Sequence, residues 1–428
     1  MSGNDGCCQG SCGTDVSSAD SIDQGVNHHG VTLTKSSLCY RCGILPATLF
    51  TRKAICNSCF LEVFRRKFAS NLRSHFVRKN EKKEPIIILM GGDVFSTSLL
   101  NLILERNKRR YVTAAHVPAD SDTSNHLFVS DDMALNYVLS IDNYVDDNVG
   151  FASRSEQFFH HVTNVVNTLG NSSVELQKIK QTDHVNEWMI LGQVTVSYIA
   201  LCYFYHEEDS KCDHRCYELK EHMTTMYNSL HCDELAYSLT LLQTVNLLRY
   251  MKNHNLSTVS VFVSDTQELI VRRVLMLTCI AAGGMVAFKG SMTDANSLGD
   301  NNVIYRLLKT FSSKEVALYH RLNGLPHTSS MDLFWHSSPQ STILGCVNEL
   351  VTSIASAHSS TLHNVCNVVE KLTPTSYGST SVCRVCKGAV YSSDTEVTLC
   401  GGCSYFCARN TVFAKLAADL AAWLNYFT

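Results

Sequence analysis

Apolar positions 60, 61, 64 and 68 fall on one face of a helix with Arg65, Arg66 and Lys67 between them, so this stretch reads as an amphipathic helix with a basic side. After Pro85 the unbroken run Ile86-Ile87-Ile88-Leu89-Met90 has the pattern of a strand buried on both faces. It meets Gly91-Gly92 and then Leu99-Leu100-Asn101-Leu102-Ile103-Leu104, giving strand, glycine turn and helix in that order. Tyr111 to Val117 reads as a second strand, residues 118–150 as a long Asp-rich loop or insertion, and helical character returns around 155–180. Cys212 to His231 reads as a further insertion. Asp233 to Lys252 is helical in period, Thr258 to Val263 is the next strand, and Val303 to Leu308 is β-like. Ser312-Ser313-Lys314-Glu315 is a capping box ahead of Val316. This alternation over residues 85–325 predicts an α/β fold with one doubly wound parallel sheet.

Composition bounds the reading. A chain of 428 residues with 45% hydrophobic and 18% charged residues has room for two or three domains and a sizeable core. The net charge of -3 hides an asymmetry, because residues 52–83 hold ten Lys/Arg against the two acids Glu62 and Glu81. The N-terminus lacks a basic segment followed by an apolar one, which predicts a cytoplasmic location and reduced thiols. The longest apolar stretch, Val274 to Phe288, is 15 residues, short of the roughly 20 that cross a bilayer, and is expected to be a buried element.

The 19 cysteines cluster near both ends. Cys39-x2-Cys42 is followed after thirteen residues by Cys56-x2-Cys59, and Cys383-x2-Cys386 by Cys400-x2-Cys403 at the same interval. A CxxC turn presents two thiolates to one ion and two turns complete a tetrahedron, so each set is expected to hold a metal with no open position for chemistry. Zinc is the default ion, while an iron–sulfur cluster also takes four cysteines. Cys407 competes as a ligand in the second set. Cys7, Cys8, Cys12, His28 and His29 match no tetrahedral template. The expected organisation is a disordered tail at 1–37, a zinc module and basic helix at 38–79, and the α/β domain at 80–330. A helical connection at 331–375 and a second zinc module with a terminal helix at 376–428 follow.

The glycine turn would place backbone N–H groups and hydroxyls around a phosphate at a helix N-terminus, or serve only as a turn. The order of parts resembles the cytoplasmic tRNA 2-thiolation protein 2 family, the partner subunit of a wobble-uridine thiolation complex. Cys39, Cys42, Cys56-Asn57-Ser58-Cys59-Phe60, the basic helix through Phe68, Gly91-Gly92 with Ser96 to Ser98, and Phe311 to Arg321 carry the resemblance, and Cys383 to Cys403 completes it. It implies a degenerate PP-loop domain of the adenine nucleotide alpha hydrolase-like kind, preceded by a cysteine-paired module and followed by a second cysteine-rich element. Gly91, Gly92, Ser96 and Ser98 would be remnants of a nucleotide site. Met90 stands where an active loop has its first serine, and the turn is one residue longer, which argues against ATP hydrolysis. Leu322 to Pro326 lacks the cysteine that catalytic relatives carry, and Cys279 is expected to be a buried packing residue.

The resemblance therefore implies a non-catalytic subunit required for 2-thiolation of wobble uridine, as in 5-methoxycarbonylmethyl-2-thiouridine. Its implied partners are a catalytic PP-loop paralogue in a heterodimer, tRNA, and a thiocarboxylated ubiquitin-related sulfur carrier. Arg65, Arg66, Lys67 and Arg73 are the candidate tRNA contacts, or else a solvated face beside a zinc loop. The rival readings are an active ATP-dependent tRNA sulfurtransferase and a zinc-module scaffold with no RNA role.

Overall fold

The computed structural model describes residues 38–50, 53–77, 84–113, 135–142, 148–169, 177–182, 184–190, 194–205, 214–228, 232–299, 301–327, 342–372, 381–390 and 399–427. The tail at 1–37, with Cys7, Cys8, Cys12, His28 and His29, lies outside them. The chain divides into two compact units, Met1–Cys56 and Asn57–Thr428. In the first, β1 (Leu49–Phe50) pairs antiparallel with β2 (Ala54–Ile55), and Cys39 N–H donates to Leu45 O at 2.9 Å to close the preceding loop.

The second unit opens with α1 (Asn57–Leu72), which buries Phe60, Phe64, Phe68 and Leu72. These residues fall at the i, i+4 spacing that makes one helical face, as the sequence predicts. Then follow β3 (Ile86–Leu89), α2 (Val94–Thr113), β4 (Leu135–Ile141), α3 (Asn148–Thr168), β5 (Gln177–Gln181), β6 (Val185–Ile190) and β7 (Val194–Ile199). Next come α4 (His214–Asn228), α5 (Cys232–Asn253), β8 (Ser260–Phe262), α6 (Gln267–Cys279), α7 (Val286–Gly290), β9 (Thr293–Asp294) and β10 (Val303–Tyr305). The chain ends with α8 (Ser313–Leu322), α9 (Ile343–Ala357), α10 (Ser359–Lys371), β11 (Ser381–Val382), β12 (Ala389–Val390), α11 (Gly401–Arg409) and α12 (Thr411–Phe427).

The sheet runs β5-β6-β7-β4-β3-β8-β10-β9. Its five central strands, β7-β4-β3-β8-β10, are all parallel to their neighbours, and β5, β6 and β9 add antiparallel edges. In order of appearance the parallel strands stand 3-2-1-4-5, a doubly wound arrangement whose direction reverses between β3 and β8. Ile87 pairs with Tyr137 on one side and Val261 on the other, and Ile86, Ile87 and Ile88 are fully buried. α2 packs on α3 and α8, α1 packs on α8, α5 packs on α4 and α12, and α6 packs on α9 and α10. Right-handed crossovers put the first group on one face of the sheet and the second on the other, so both faces of the central strands are covered and most of their residues, Ser140 and Ser197 included, are buried.

Several elements depart from the sequence expectation. The strand expected at Tyr111–Val117 is absent as far as Thr113, where α2 is still helical; extending a formed helix costs far less than nucleating one, so residues of strand propensity at its end join it. The loop expected over 118–150 contains β4, a central strand whose apolar run is short and flanked by Asp131, Asp132 and Asp142. The helix expected over 155–180 ends at Thr168, and β5 occupies its last part. The segment Cys212–His231 is no mere insertion, since α4 packs on α5. The capping box forms as expected: Glu315 N–H donates to Ser312 Oγ at 3.2 Å and Ser312 N–H to Glu315 Oε2 at 3.0 Å.

Phe64 seats α1, its ring stacked on Tyr319 and tilted against Phe311, with ring centres 4.5 Å away in each case. Phe64→Ala is expected to lower unfolding stability by about 3–5 kcal/mol, against about 1 kcal/mol for Ser312→Ala, which removes only a cap. Urea denaturation of the two variants checks the ranking.

Candidate metal centres and strand-end site

The two cysteine sets fold alike. The thiols of Cys39, Cys42, Cys56 and Cys59 lie within 4.8 Å of one another, and so do those of Cys383, Cys386, Cys400 and Cys403. Cys42 and Cys56 sulfurs are 3.9 Å apart, and Cys386 and Cys400 sulfurs 3.5 Å. A tetrahedron with Zn–S bonds of ~2.3 Å has edges of roughly 3.8 Å, so the donor sets fit such an ion.

In each set the first CxxC sits on a tight turn: Gly43 N–H donates to Cys39 O at 2.8 Å and Lys387 N–H to Cys383 O at 3.0 Å. Gly43 and Lys387 both adopt positive φ, 65° and 58°. The second CxxC in each set begins a helix. Cys56 immediately precedes α1, and Cys400 is the N-cap of α11, its sulfur accepting from Cys403 N–H at 3.4 Å. A helix N-terminus favours negative charge, so the fold supplies N–H groups where thiolates must sit.

The C-terminal set belongs to the main core with Phe406, Phe413 and Tyr237, whose hydroxyl lies 3.3 Å from Cys403 Sγ. Burial and the neighbouring thiols push that hydroxyl well above its ordinary value. Hydrogen bonds within the set pull Cys383 down and push Cys386 and Cys403 up, because four adjacent sulfurs do not all ionise without a cation among them. Cys407 is half-buried and outside the four-sulfur group.

At the end of β3 the ladder continues to Met90 N–H, which donates to Leu139 O at 2.9 Å. Gly92 then turns the chain with φ of 79°, a conformation natural to glycine. Asp93 follows and caps α2: its Oδ1 accepts from Ser96 N–H at 2.6 Å and from the Ser96 hydroxyl. Ser98 donates to Val94 O at 2.6 Å, and both serines are buried. The side chains expected to face a phosphate are thus turned onto their own helix, and a carboxylate already sits at its N-terminus. Thr97 Oγ1 pairs with His161 Nε2 at 2.8 Å on α3. Burial first, then the His320 and His327 charges, hold His161 down to about 4.

The basic helix separates into two kinds of cation. Arg65 grips Glu105 through Nε at 2.9 Å and Nη2 at 2.8 Å, and also donates to Asn323 Oδ1 at 3.0 Å. Lys67 meets Glu315 at 3.2 Å with its ammonium 4.2 Å from the Phe311 ring centre. These two fasten α1 to α2 and α8. Arg66 is exposed and pairs within the helix with Glu62. Arg73 is exposed too, and its charge acts on Arg106 of α2, which burial first and Arg73 second hold below its ordinary value. Like charges placed side by side are what an anionic partner would relieve. Sequence reading passed over Arg106, although Arg106-Asn107-Lys108-Arg109-Arg110 is a basic run. Cys279 is exposed at the end of α6, not buried as expected, because the apolar run breaks there into a turn through Ile280–Ala282.

Among the described residues no helix is long and apolar enough to cross a membrane. No family model and no curated protein matches the chain. Among solved structures, the U34-tRNA thiolase NcsA from Methanococcus maripaludis with its [4Fe-4S] cluster aligns over 88% of this chain and 97% of that chain, at 13% identity and a TM-score of 0.47.

Elemental analysis of the chain purified without chelator is expected to give two metal ions, falling to one in Cys383→Ser/Cys400→Ser, with a large loss of thermal stability because that set lies in the core. One ion in the unaltered chain would contradict the shared construction. A second expectation concerns pH. His161 takes a proton in the unfolded chain near 6.5 but in the folded chain only near 4, so stability is full above 6.5 and falls as pH drops between them. Urea midpoints measured from pH 7 down to about 5, above most carboxylate titration, are expected to decline, and to decline less in His161→Gln.

Proposed function

We propose that the chain is a non-catalytic subunit of a tRNA-thiolation complex that supports 2-thiolation of wobble uridine. The observation that carries this reading is the state of the strand-end turn in the doubly wound sheet. Asp93 caps the helix, and Ser96 and Ser98 bond inward, where a phosphate-binding loop would turn its donors outward. A chain with this turn supplies surface and scaffold, and the adenylation of uridine falls to a catalytic paralogue bound as a heterodimer. A thiocarboxylated ubiquitin-related carrier would deliver the sulfur to that pair.

The RNA surface in this proposal is narrower than the basic helix as a whole. Arg65 and Lys67 are committed to ion pairs between helices, whereas Arg66, paired only with exposed Glu62 of its own helix, and Arg73 and Arg106 are exposed and open to phosphates. In the first unit, exposed Tyr40 with the Lys53 ammonium 5.4 Å from its ring centre offers a stacking surface for an unpaired base. Both metal sets act as closed zinc sites that hold loops in shape. The protein works in the cytoplasm in this reading.

Removal of the protein from cells is expected to abolish 2-thiouridine in tRNA nucleosides measured by mass spectrometry. Restoring it as Ser96→Ala or Ser98→Ala is expected to restore thiolation. Restoring Arg73→Glu/Arg106→Glu is expected to leave thiolation impaired, with tRNA affinity of the complex reduced and its salt dependence flattened. Loss of 2-thiouridine in a folded, partner-bound Ser96→Ala protein would favour the active-enzyme reading instead.

A further inference from the structure

Tyr237, near the start of α5, is buried beside the C-terminal cysteine set. Its ring packs against Phe406 of α11 and Phe413 of α12, with ring centres 5.1 Å and 6.1 Å away. A phenol buried in this way needs a partner for its O–H. Two sulfurs stand within reach, Cys403 Sγ at 3.3 Å and Met285 Sδ at 3.7 Å. A thioether is a weak acceptor, whereas an ionised thiolate makes a charge-assisted bond, so the nearer sulfur is also the stronger partner.

The thiolate gains as much as the phenol. Four thiolates around one divalent ion leave a net double negative charge, which is costly in a core unless hydrogen bonds spread it. Backbone groups serve two of the ligands: Gly388 N–H reaches Cys386 Sγ and Cys403 N–H reaches Cys400 Sγ, each at 3.4 Å. For Cys403 Sγ a donor comes from a distant part of the chain, the Tyr237 side chain. Packing keeps the start of α11 where this bond forms. A Cβ on Gly401 would come within 2.5 Å of Ala281 O, and one on Gly402 within 2.8 Å of Ala282 Cβ, so the two glycines between the ligands lie directly on the turn after α6.

We infer that Tyr237 is a positioning residue of the C-terminal metal centre, its hydroxyl donating to Cys403 Sγ and keeping that thiolate on the ion. The role rests on the reading of these four cysteines as a closed metal site. A metal-bound thiolate has no proton to give, so the phenol is the donor in the loaded centre. The bond draws charge from the sulfur and so protects it from protonation, which is the step that frees a cysteine from its ion. It also ties the metal module to α5, whose Asp233 caps α9 by accepting from Ile343 N–H at 3.0 Å and Leu344 N–H at 2.8 Å.

In the competing account Tyr237 only fills space between Phe406 and Phe413, with its O–H turned to Met285 Sδ. Tyr237→Phe in the full chain separates the two, because it keeps the ring and removes only the hydroxyl. Metal content is measured first: a content left unchanged by Cys383→Ser/Cys400→Ser overturns the closed-site reading and this role with it. With cobalt(II) in both sets, the N-terminal set contributes equally to the unaltered and Tyr237→Phe chains and drops out of their difference spectrum. Loss of a hydrogen bond raises the energy of the sulfur electrons, so a sulfur-to-cobalt charge-transfer band displaced to longer wavelength supports the proposal. Zinc affinity of one of the two sets, measured by chelator competition, is expected to fall roughly 10–100-fold. An unmoved band and unchanged zinc affinity in a folded Tyr237→Phe chain overturn the proposal in favour of the packing account. If that variant fails to fold, cadmium-113 NMR of the unaltered chain decides: scalar coupling between the metal and a tyrosine hydroxyl proton supports the proposal, and its absence overturns it.

Discussion

One guanidinium that does not reach water organises the carboxyl edge of the sheet. Arg306, 2% exposed, follows β10 and donates to Asp265 after β8, to Asp294 in β9, and to the backbone oxygens of Phe288 and Ser291, each at 3.1 Å. An arginine presents five donors in a fixed plane, so this one side chain fixes four segments at once. A lysine would satisfy one or two of these acceptors and leave the rest desolvated, at about 1–3 kcal/mol for each. The depressed titration of Asp265 and Asp294 follows, since each carboxylate is held ionised by cations and hydrogen bonds that outweigh its burial.

The same logic of partnered charge divides the basic helix. Lysine and arginine carry long apolar stems, and where a carboxylate waits on a neighbouring helix they become fasteners. Arg65 lies near Tyr319 while gripping Glu105, so its pairing and its packing reinforce each other. Arg66, one residue on, points away from that interface, because successive helical positions differ by about 100°. Charge density read from the sequence therefore overstates the surface available to a polyanion.

Legibility in the sequence followed burial. β3, an unbroken isoleucine run, and α8, with its reciprocal Ser312–Glu315 cap, were readable because local pattern and tertiary role agree. β4 was hidden because Asn136 and Ser140 interrupt its apolar residues, so it lacks the continuous run of a strand covered on both faces, and its acidic flanks dominated the window. The gathering of the cysteines into two four-thiol groups was readable from spacing alone. The turn of Ser96 and Ser98 onto their own helix was not, since a serine beside a glycine turn serves a ligand or its own backbone with equal ease. Arg306, Lys289 and Asp294 come together only when β9 folds back beside β10, a pairing that no local pattern announces.

The two cysteine modules show how one construction tolerates different residues. Both need a left-handed residue directly after the first CxxC, where the chain must reverse to bring two sulfurs to one side. Gly43 meets this without strain, whereas Lys387 adopts a conformation that costs an L-residue roughly 1–2 kcal/mol. The second turn can bear this because Cys383 N–H and Gly388 O are bonded at 2.9 Å and Gly388 N–H reaches Cys386 Sγ at 3.4 Å, within the main core. A Cβ on Gly388 would meet Met285 Cγ at 2.5 Å, so the residue after Lys387 must stay small for the core to close over the sulfurs. Packing thus fixes Gly388 as the glycine of the second module, and the left-handed turn falls to the lysine before it.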